Sequence, residues 1–237
     1  GDYFTPSLAC VLQERLGARC PAFDMNAACT GFLYALDTAA GFFARGRVKK
    51  MLIVSCENMS KLLDWKDRTT CVLFGDGAGA VVLGEGDNLL SINISAHGSR
   101  ETMYIPNVNG NSPFNRAPCP PTALFWHGHD VYRFAITQMT AELKKAVANA
   151  GLKEDDLTWV LPHQANLRII DSLKKRFDIP DERFLVNIQR YGNISSAAIP
   201  ILMNEENRKG TFKRGDILGL VAFGGGLTSG ACVIRWG

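Results

Sequence analysis

Apolar residues recur along this chain with two periods, and the switches between them mark its elements. Over 7–16 the spacing of Leu8, Val11, Leu12 and Leu16 is helical, and Gly17 stands where such a helix would end. Over 29–44 the same period runs through Phe32, Leu33, Leu36, Ala39, Ala40 and Phe43, with Gly46 closing it. A third amphipathic helix is predicted over 131–150, stopped by Gly151. Residues 21–25 read as a short strand, and 50–55 (KMLIVS), unbroken in apolarity, as a buried parallel strand. A further strand is predicted near 90–96. From there the pattern alternates: strand 158–161, helix 166–177, strand 184–187, helix 194–208, strand 216–222 and a last strand at 230–235. Such alternation predicts an α/β fold with a mostly parallel sheet. The Pro/Asn/Gly-rich stretch 105–121 is too long for an ordinary connection and reads as a functional or exposed loop.

The pattern also repeats on a larger scale. FDMNAACTGFLYAL is echoed by FLVNIQRYGNISSAAI, and VLFGDGAGAVVL by VAFGGGLTSGACVI. Each pair reads as strand–turn–helix, then strand, glycine turn and antiparallel strand, which divides the chain into halves at 1–90 and 91–237. In this register Asn193 stands where Cys29 stands in the first copy. The first copy lacks the opening strand and helix that 90–150 supply to the second, so the chain is expected to have lost its beginning.

Composition narrows the class. With 237 residues, 46% apolar and 21% charged, the chain can bury a substantial core without staples, as one large domain or two modest ones. A net charge of +3 is too small to imply nucleic acid. Seven cysteines, at 10, 20, 29, 56, 71, 119 and 232, form no CxxC pair and no zinc spacing, so a reduced, cytoplasmic protein is expected. No apolar run reaches membrane-spanning length, and no basic-apolar leader opens the chain. GDGAGA lacks the Lys-Ser/Thr of a phosphate loop and is followed by a strand, so it reads as a tight turn with close backbone approach. His127 and His129 have no partner ligands at helical or hairpin spacing and are taken as loop residues, with no metal site. RVKK at 47–50 is a solvated helix–strand turn.

Three stretches differ from scaffold. In AACTGF the small neighbours of Cys29 leave room for a carbonyl, and a cysteine opening a helix sits at the positive end of its dipole, which favours thiolate; an inert buried cysteine is the other reading. In LPHQAN, His163 lies between a strand end and a helix start, where α/β proteins place ligands; an ordinary surface histidine is the alternative. In YGNISSA, Asn193 is either a helix cap or a partner of Cys29 across the repeat. Cysteine, histidine and asparagine together also suit a cysteine hydrolase, and spacing alone does not decide.

AACTGF, FGDGAGA, PHQAN, YGN and FGGG, in this order, resemble the condensing enzymes of the thiolase superfamily, most closely the β-ketoacyl-acyl carrier protein synthase III family. The likeness runs over the whole chain. It implies a thiolase-like fold of duplicated βαβαβ halves in a layered αβαβα arrangement, with the first half incomplete at its N-terminus. It assigns Cys29 as nucleophile and His163 with Asn193 as the decarboxylation pair. Gly225 would complete an oxyanion hole with the Cys29 N–H, Phe223 would pack beside it, and Thr5 would reach a partner subunit's acyl pocket, a small residue there leaving room for a longer or branched primer. Arg68 and Gly128 would line a coenzyme A site, while Arg168, Arg133, Lys175 and Arg176 would meet an acidic carrier protein. Part of this has support in the pattern itself, because Leu167, Ile170, Leu173 and Phe177 form a buried stripe that leaves Arg168 and Lys175 on an outer face; a merely solvated basic face is the other reading. The family's Trp/Arg clamp on the adenine end of coenzyme A has no counterpart here.

The implied activity is acyl transfer from acyl-CoA to Cys29, then decarboxylative condensation with malonyl-acyl carrier protein to a 3-oxoacyl product. It calls for a homodimer, no metal and no redox cofactor, coenzyme A arriving only as a substrate thioester. Two alternatives stay open: a related acyltransferase of secondary metabolism with a different acceptor, and a non-catalytic partner subunit.

Overall fold

The computed structural model describes residues 3–107 and 122–237. Its centre is a four-stranded sheet in the order β3 (Leu89–Ala96), β8 (Thr228–Arg235), β7 (Ile217–Gly224), β6 (Trp159–Pro162). Strand β7 shows how one sequence serves two cores. Leu218, Leu220 and Ala222 face one side and Val221 and Phe223 the other, all buried, as the period of two requires. On the Val221 side lies α3 (Gly128–Asn149), which presents Val131, Ala135, Met139, Leu143 and Ala146, together with Ile169 and Leu173 of α4 (Leu167–Lys174). On the Leu218 side lie α2 (Gly31–Ala44), through Phe32, Leu33, Leu36 and Ala39, and α6 (Ala198–Arg208), through Ile199 and Leu202. Each such fully buried Leu, Ile or Phe side chain contributes roughly 1.5–3 kcal/mol.

Beyond α2 and α6 sits a second sheet, β1 (Lys50–Asn58) paired with β2 (Asp76–Gly84). Ile53, Met51, Val81 and Leu83 close the same core from that side. The described layers therefore run α–β–α–β, and the two helices between the sheets are the corresponding helices of the two repeats. The remaining elements are α1 (Leu8–Arg15), the two-residue pair β4 (Met103–Tyr104) and β5 (Phe125–Trp126), and the short helix α5 (Ile188–Tyr191).

Several expectations from sequence need correction. The sheets are not mostly parallel: among the described strands only β6 and β7 run parallel, while β7–β8, β3–β8 and β1–β2 are antiparallel. The short FGGG connection from β7 to β8 dictates this, since parallel neighbours need a long crossover. Strand β1 is not buried on both faces, because Leu52 and Val54 are exposed beside Val82. Residues 21–25 join no ladder; Asp24 instead accepts the N–H groups of Leu8 and Ala9 at 2.8 Å each and holds the start of α1. Residues 184–187 form one bridge, Phe184 to Val160, rather than a strand. Helix α4 ends at Lys174, and its stripe is Ile169, Ile170 and Leu173, with Leu167 exposed. His127 precedes α3 and His129 lies in its first turn, beside Asp130 at 3.6 Å. Most of the 105–121 stretch lies outside the described residues.

GDGAGA is strand, not turn, but the close approach is real. Gly75 donates its N–H to the Asn193 carbonyl at 3.0 Å, and a Cβ there would stand 2.2 Å from the Tyr191 carbonyl oxygen. Gly75→Ala is therefore expected to cost about 1–3 kcal/mol by forcing these segments apart. Gly84→Ala, at the open end of the same strand, has nothing within 4 Å of its new Cβ and should leave stability unchanged. Thermal unfolding of the two variants checks this; equal midpoints would contradict it.

Candidate active site

Two turns of the same shape, one from each repeat, meet at the carboxyl end of β7. In the first, Asn26 Oδ1 accepts the Ala28 N–H at 3.1 Å, Ala28 takes φ +47°, and a single turn of tight helix (Ala28–Thr30) leads into α2. In the second, Asn193 Oδ1 accepts the Ser195 N–H at 2.9 Å, Ser195 takes φ +47°, and Ser195–Ala197 leads into α6. Non-glycine residues rarely adopt this conformation, so its recurrence fixes the register of the repeat. The counterpart of Cys29 is Ser196, and Asn193 corresponds to Asn26, three residues from the pairing read from sequence.

Cys29 is held against the β7–β8 turn. A Cβ on Gly224 would lie 2.7 Å from the Cys29 backbone nitrogen, so only glycine allows this approach. Thr30 and Thr228 staple the contact: their hydroxyls are 2.7 Å apart, Thr30 Oγ1 lies 2.6 Å from the Ala27 carbonyl, and Thr228 Oγ1 lies 3.1 Å from the Gly225 carbonyl. The backbone of Cys29 is thereby brought alongside Gly224 and Gly225. Neither threonine was singled out in the sequence; a threonine after a candidate nucleophile reads there only as a small residue.

The other two members arrive from β6 and from the second turn. The His163 N–H donates to the Val221 carbonyl at 2.8 Å, and its ring meets that of Phe223 edge-on at 5.7 Å. His163 is 1% exposed, and neither ring nitrogen has a hydrogen-bond partner among the described residues. Leaving a buried polar group unpaired costs about 1–3 kcal/mol, which core packing alone would not select. Burial drives the His163 pKa down to about 3, so the imidazole is neutral. Asn193 is equally buried, its N–H on the Leu73 carbonyl at 2.8 Å and its Oδ1 on the Ser195 N–H, which turns the amide NH2 the other way.

The sulfur departs from the sequence reading. Burial pushes the Cys29 pKa up to about 12; a hydrogen bond from Ser195 opposes the shift, and the Glu57 carboxylate adds to it. Glu57 accepts from the N–H of Ser196 at 3.2 Å and from its hydroxyl. The resting group is a thiol, because loss of hydration outweighs the hydrogen bonds that favour thiolate. Ser195 and Glu57 went unnoticed in the sequence, where both read as ordinary turn and strand polars.

The residues that the resemblance assigns to coenzyme A and the carrier protein lie on the outside. Arg68 and Gly128 are exposed, on segments joined by the Phe74–Trp126 ring contact at 5.9 Å and by the Leu124 N–H on the Leu62 carbonyl at 2.8 Å. Arg168, Lys175 and Arg176 are exposed on and just beyond α4; Arg133 is exposed on α3, 3.6 Å from Asp130. The Tyr132 and Ser172 hydroxyls, 2.7 Å apart, tie these two helices together. Thr5 lies exposed ahead of α1. Among the described residues no cluster of ligating side chains could hold a metal ion, and no helix is long and apolar enough to cross a membrane.

Duplicated strand–helix units whose helix heads meet at the end of β7, one bearing Cys29 and the other preceded by Asn193, match the arrangement of a thiolase-fold condensing enzyme. Comparison with known proteins narrows this. The model of 3-oxoacyl-[acyl-carrier-protein] synthase III matches residues 23–98, and that of its C-terminal region matches residues 147–236. The chain is 42% identical to β-ketoacyl-[acyl-carrier-protein] synthase III of Clostridium acetobutylicum, over 99% of the chain and 74% of that protein. It is 44% identical to the synthase of the same name from Xanthomonas campestris, over 99% and 73%. The crystal structure of the Thermus thermophilus synthase III superposes with a TM-score of 0.93 at 39% identity, covering all of this chain and 74% of that one. The chain belongs to the β-ketoacyl-acyl carrier protein synthase III family.

Alkylation of Cys29 by iodoacetamide, followed by peptide mass, should rise about tenfold per pH unit up to about pH 10, because the thiolate fraction below a midpoint near 12 grows by that factor. A plateau reached by about pH 8 would show a thiolate already stabilised in the resting protein.

Proposed function

We propose that Cys29, His163 and Asn193 carry out a two-stage condensation: acyl transfer from an acyl-CoA, then carbon–carbon bond formation with malonyl-acyl carrier protein. The observation that carries this reading is the buried, unpartnered, neutral His163 on the same β7 end as Cys29. In the first stage Cys29 sulfur attacks the thioester carbonyl, the C–S bond to coenzyme A breaks, and the Cys29 proton ends on the departing coenzyme A sulfur. The backbone N–H groups of Cys29 and Gly225 receive the tetrahedral oxyanion, where losing one donor costs about 2.7–4 kcal/mol in related chemistry.

In the second stage the malonyl thioester loses CO2, and its electron pair becomes an enolate. The His163 N–H and the Asn193 amide donate to the enolate oxygen without adding a cation that would trap the carboxylate. The carbanion attacks acyl-Cys29, the thioester C–S bond breaks, and the Cys29 thiolate takes up a proton from solvent as the 3-oxoacyl product leaves. Arg68 and Gly128 line the path of coenzyme A. Arg168, Arg133, Lys175 and Arg176 form the exposed basic surface for the acidic carrier protein, in a cytoplasmic homodimer whose acyl pocket Thr5 of the partner subunit completes.

The test separates the stages. Incubation with acyl-CoA should acylate Cys29 and no other cysteine, as read by peptide mass, and malonyl-acyl carrier protein should then release CO2 and 3-oxoacyl product. His163→Ala and Asn193→Ala should retain acylation and lose condensation by roughly 100-fold or more. Acylation at another residue, or condensation undiminished in both variants, would overturn the assignment.

A further inference from the structure

The motif residue next to His163 has a task the reaction does not use directly. Gln164 is 1% exposed, and every hydrogen-bonding position on its amide is occupied. Nε2 donates to the carbonyls of Pro162 at 2.8 Å and Leu185 at 3.3 Å. Oε1 accepts the N–H groups of Asn187 at 3.0 Å and Ile188 at 3.2 Å. One end of this strut is the strand that leads directly into His163; the other is the start of α5, after which the chain reaches Asn193. Glu205 of α6 grips the same short helix from its far side, accepting from Asn187 Nδ2 and Arg190 Nη1 at 2.7 Å and from the Tyr191 hydroxyl at 2.6 Å.

Holding the two segments together does not require Gln164. The Val160–Phe184 bridge and the Leu185 N–H on the Val160 carbonyl, at 2.9 Å, already do that. What the amide adds is direction, since four hydrogen bonds to four backbone groups fix distance and angle at once. The need is specific, because no hydrogen bond orients the His163 ring and its aim follows from its backbone. We infer that Gln164, backed by Glu205, is a positioning residue that sets the spacing of His163 and Asn193 so that both donate to one oxygen. This rests on the two-stage reading above, and it makes the second stage sensitive where the first is not.

The experiment measures both stages in wild type, Gln164→Met and Glu205→Ala. Methionine keeps the bulk of glutamine and removes all four bonds; the alanine variant loosens the outer grip without entering the cleft. The expected result is Cys29 acylation from acyl-CoA at the wild-type rate in both variants, which also reports an intact fold, with condensation reduced on the order of 100-fold in Gln164→Met and less in Glu205→Ala. Equal loss of both stages, or no loss of condensation, would overturn the inference. Should Gln164→Met not fold, Glu205→Ala decides by the same criteria. Failure of wild type to condense would instead refute the two-stage reading itself.

Discussion

Desolvation at the end of β7 is the constraint on which the rest of the site depends. It holds His163 neutral without any charged neighbour, and with a smaller contribution from the Glu57 carboxylate it holds Cys29 as a thiol. In water an enolate or an oxyanion is served by solvent. In a cleft that excludes water the protein must supply fixed donors, and these then act more strongly than they would in water. On the proposed mechanism, the unpaired nitrogens of His163 are hydrogen-bonding capacity left open for a reacting molecule.

Building such a cleft requires backbones to meet closely, and duplication meets that need twice. Gly224 admits the Cys29 backbone, and Gly75 admits the Tyr191–Asn193 backbone, each at the mouth of a sheet belonging to the opposite repeat. Each helix head thus docks on the other half's glycine. The cysteine turn and the asparagine turn share one conformation, with φ +47° at Ala28 and at Ser195, because they solve the same packing problem. Their chemistry diverged at the side chains while the strained backbone stayed constant.

Much of this was legible in the sequence. Helical periods located α1, α2, α3 and α6, and glycines marked the ends of the first three, because both signals are local. Sheet direction was not legible: an apolar run such as KMLIVS reports hydrophobicity, whereas whether a strand is covered on both faces depends on what packs there. The repeat was visible, but its register slipped by three residues, since composition does not record a positive φ. Cys29, His163 and Asn193 stood out as words in motifs. The residues packed around them, Thr30, Thr228, Ser195 and Glu57, did not, because their partners are far away in the chain: Thr30 pairs with Thr228, Ser195 with Cys29, and Glu57 with Ser196. The ionisation of Cys29 was misjudged for the same reason. A helix dipole can be read from local sequence, and burial cannot.

The central claim is that His163 remains an uncharged donor at working pH, and the nitrogen chemical shifts of its imidazole report this directly. In 15N-edited spectra of the folded protein, the His163 ring should keep the shifts of a single neutral tautomer from about pH 8 down to about pH 5, as burial lowers its pKa to about 3. A titration with a midpoint between about pH 6 and 7, the ordinary range for histidine, would contradict the account.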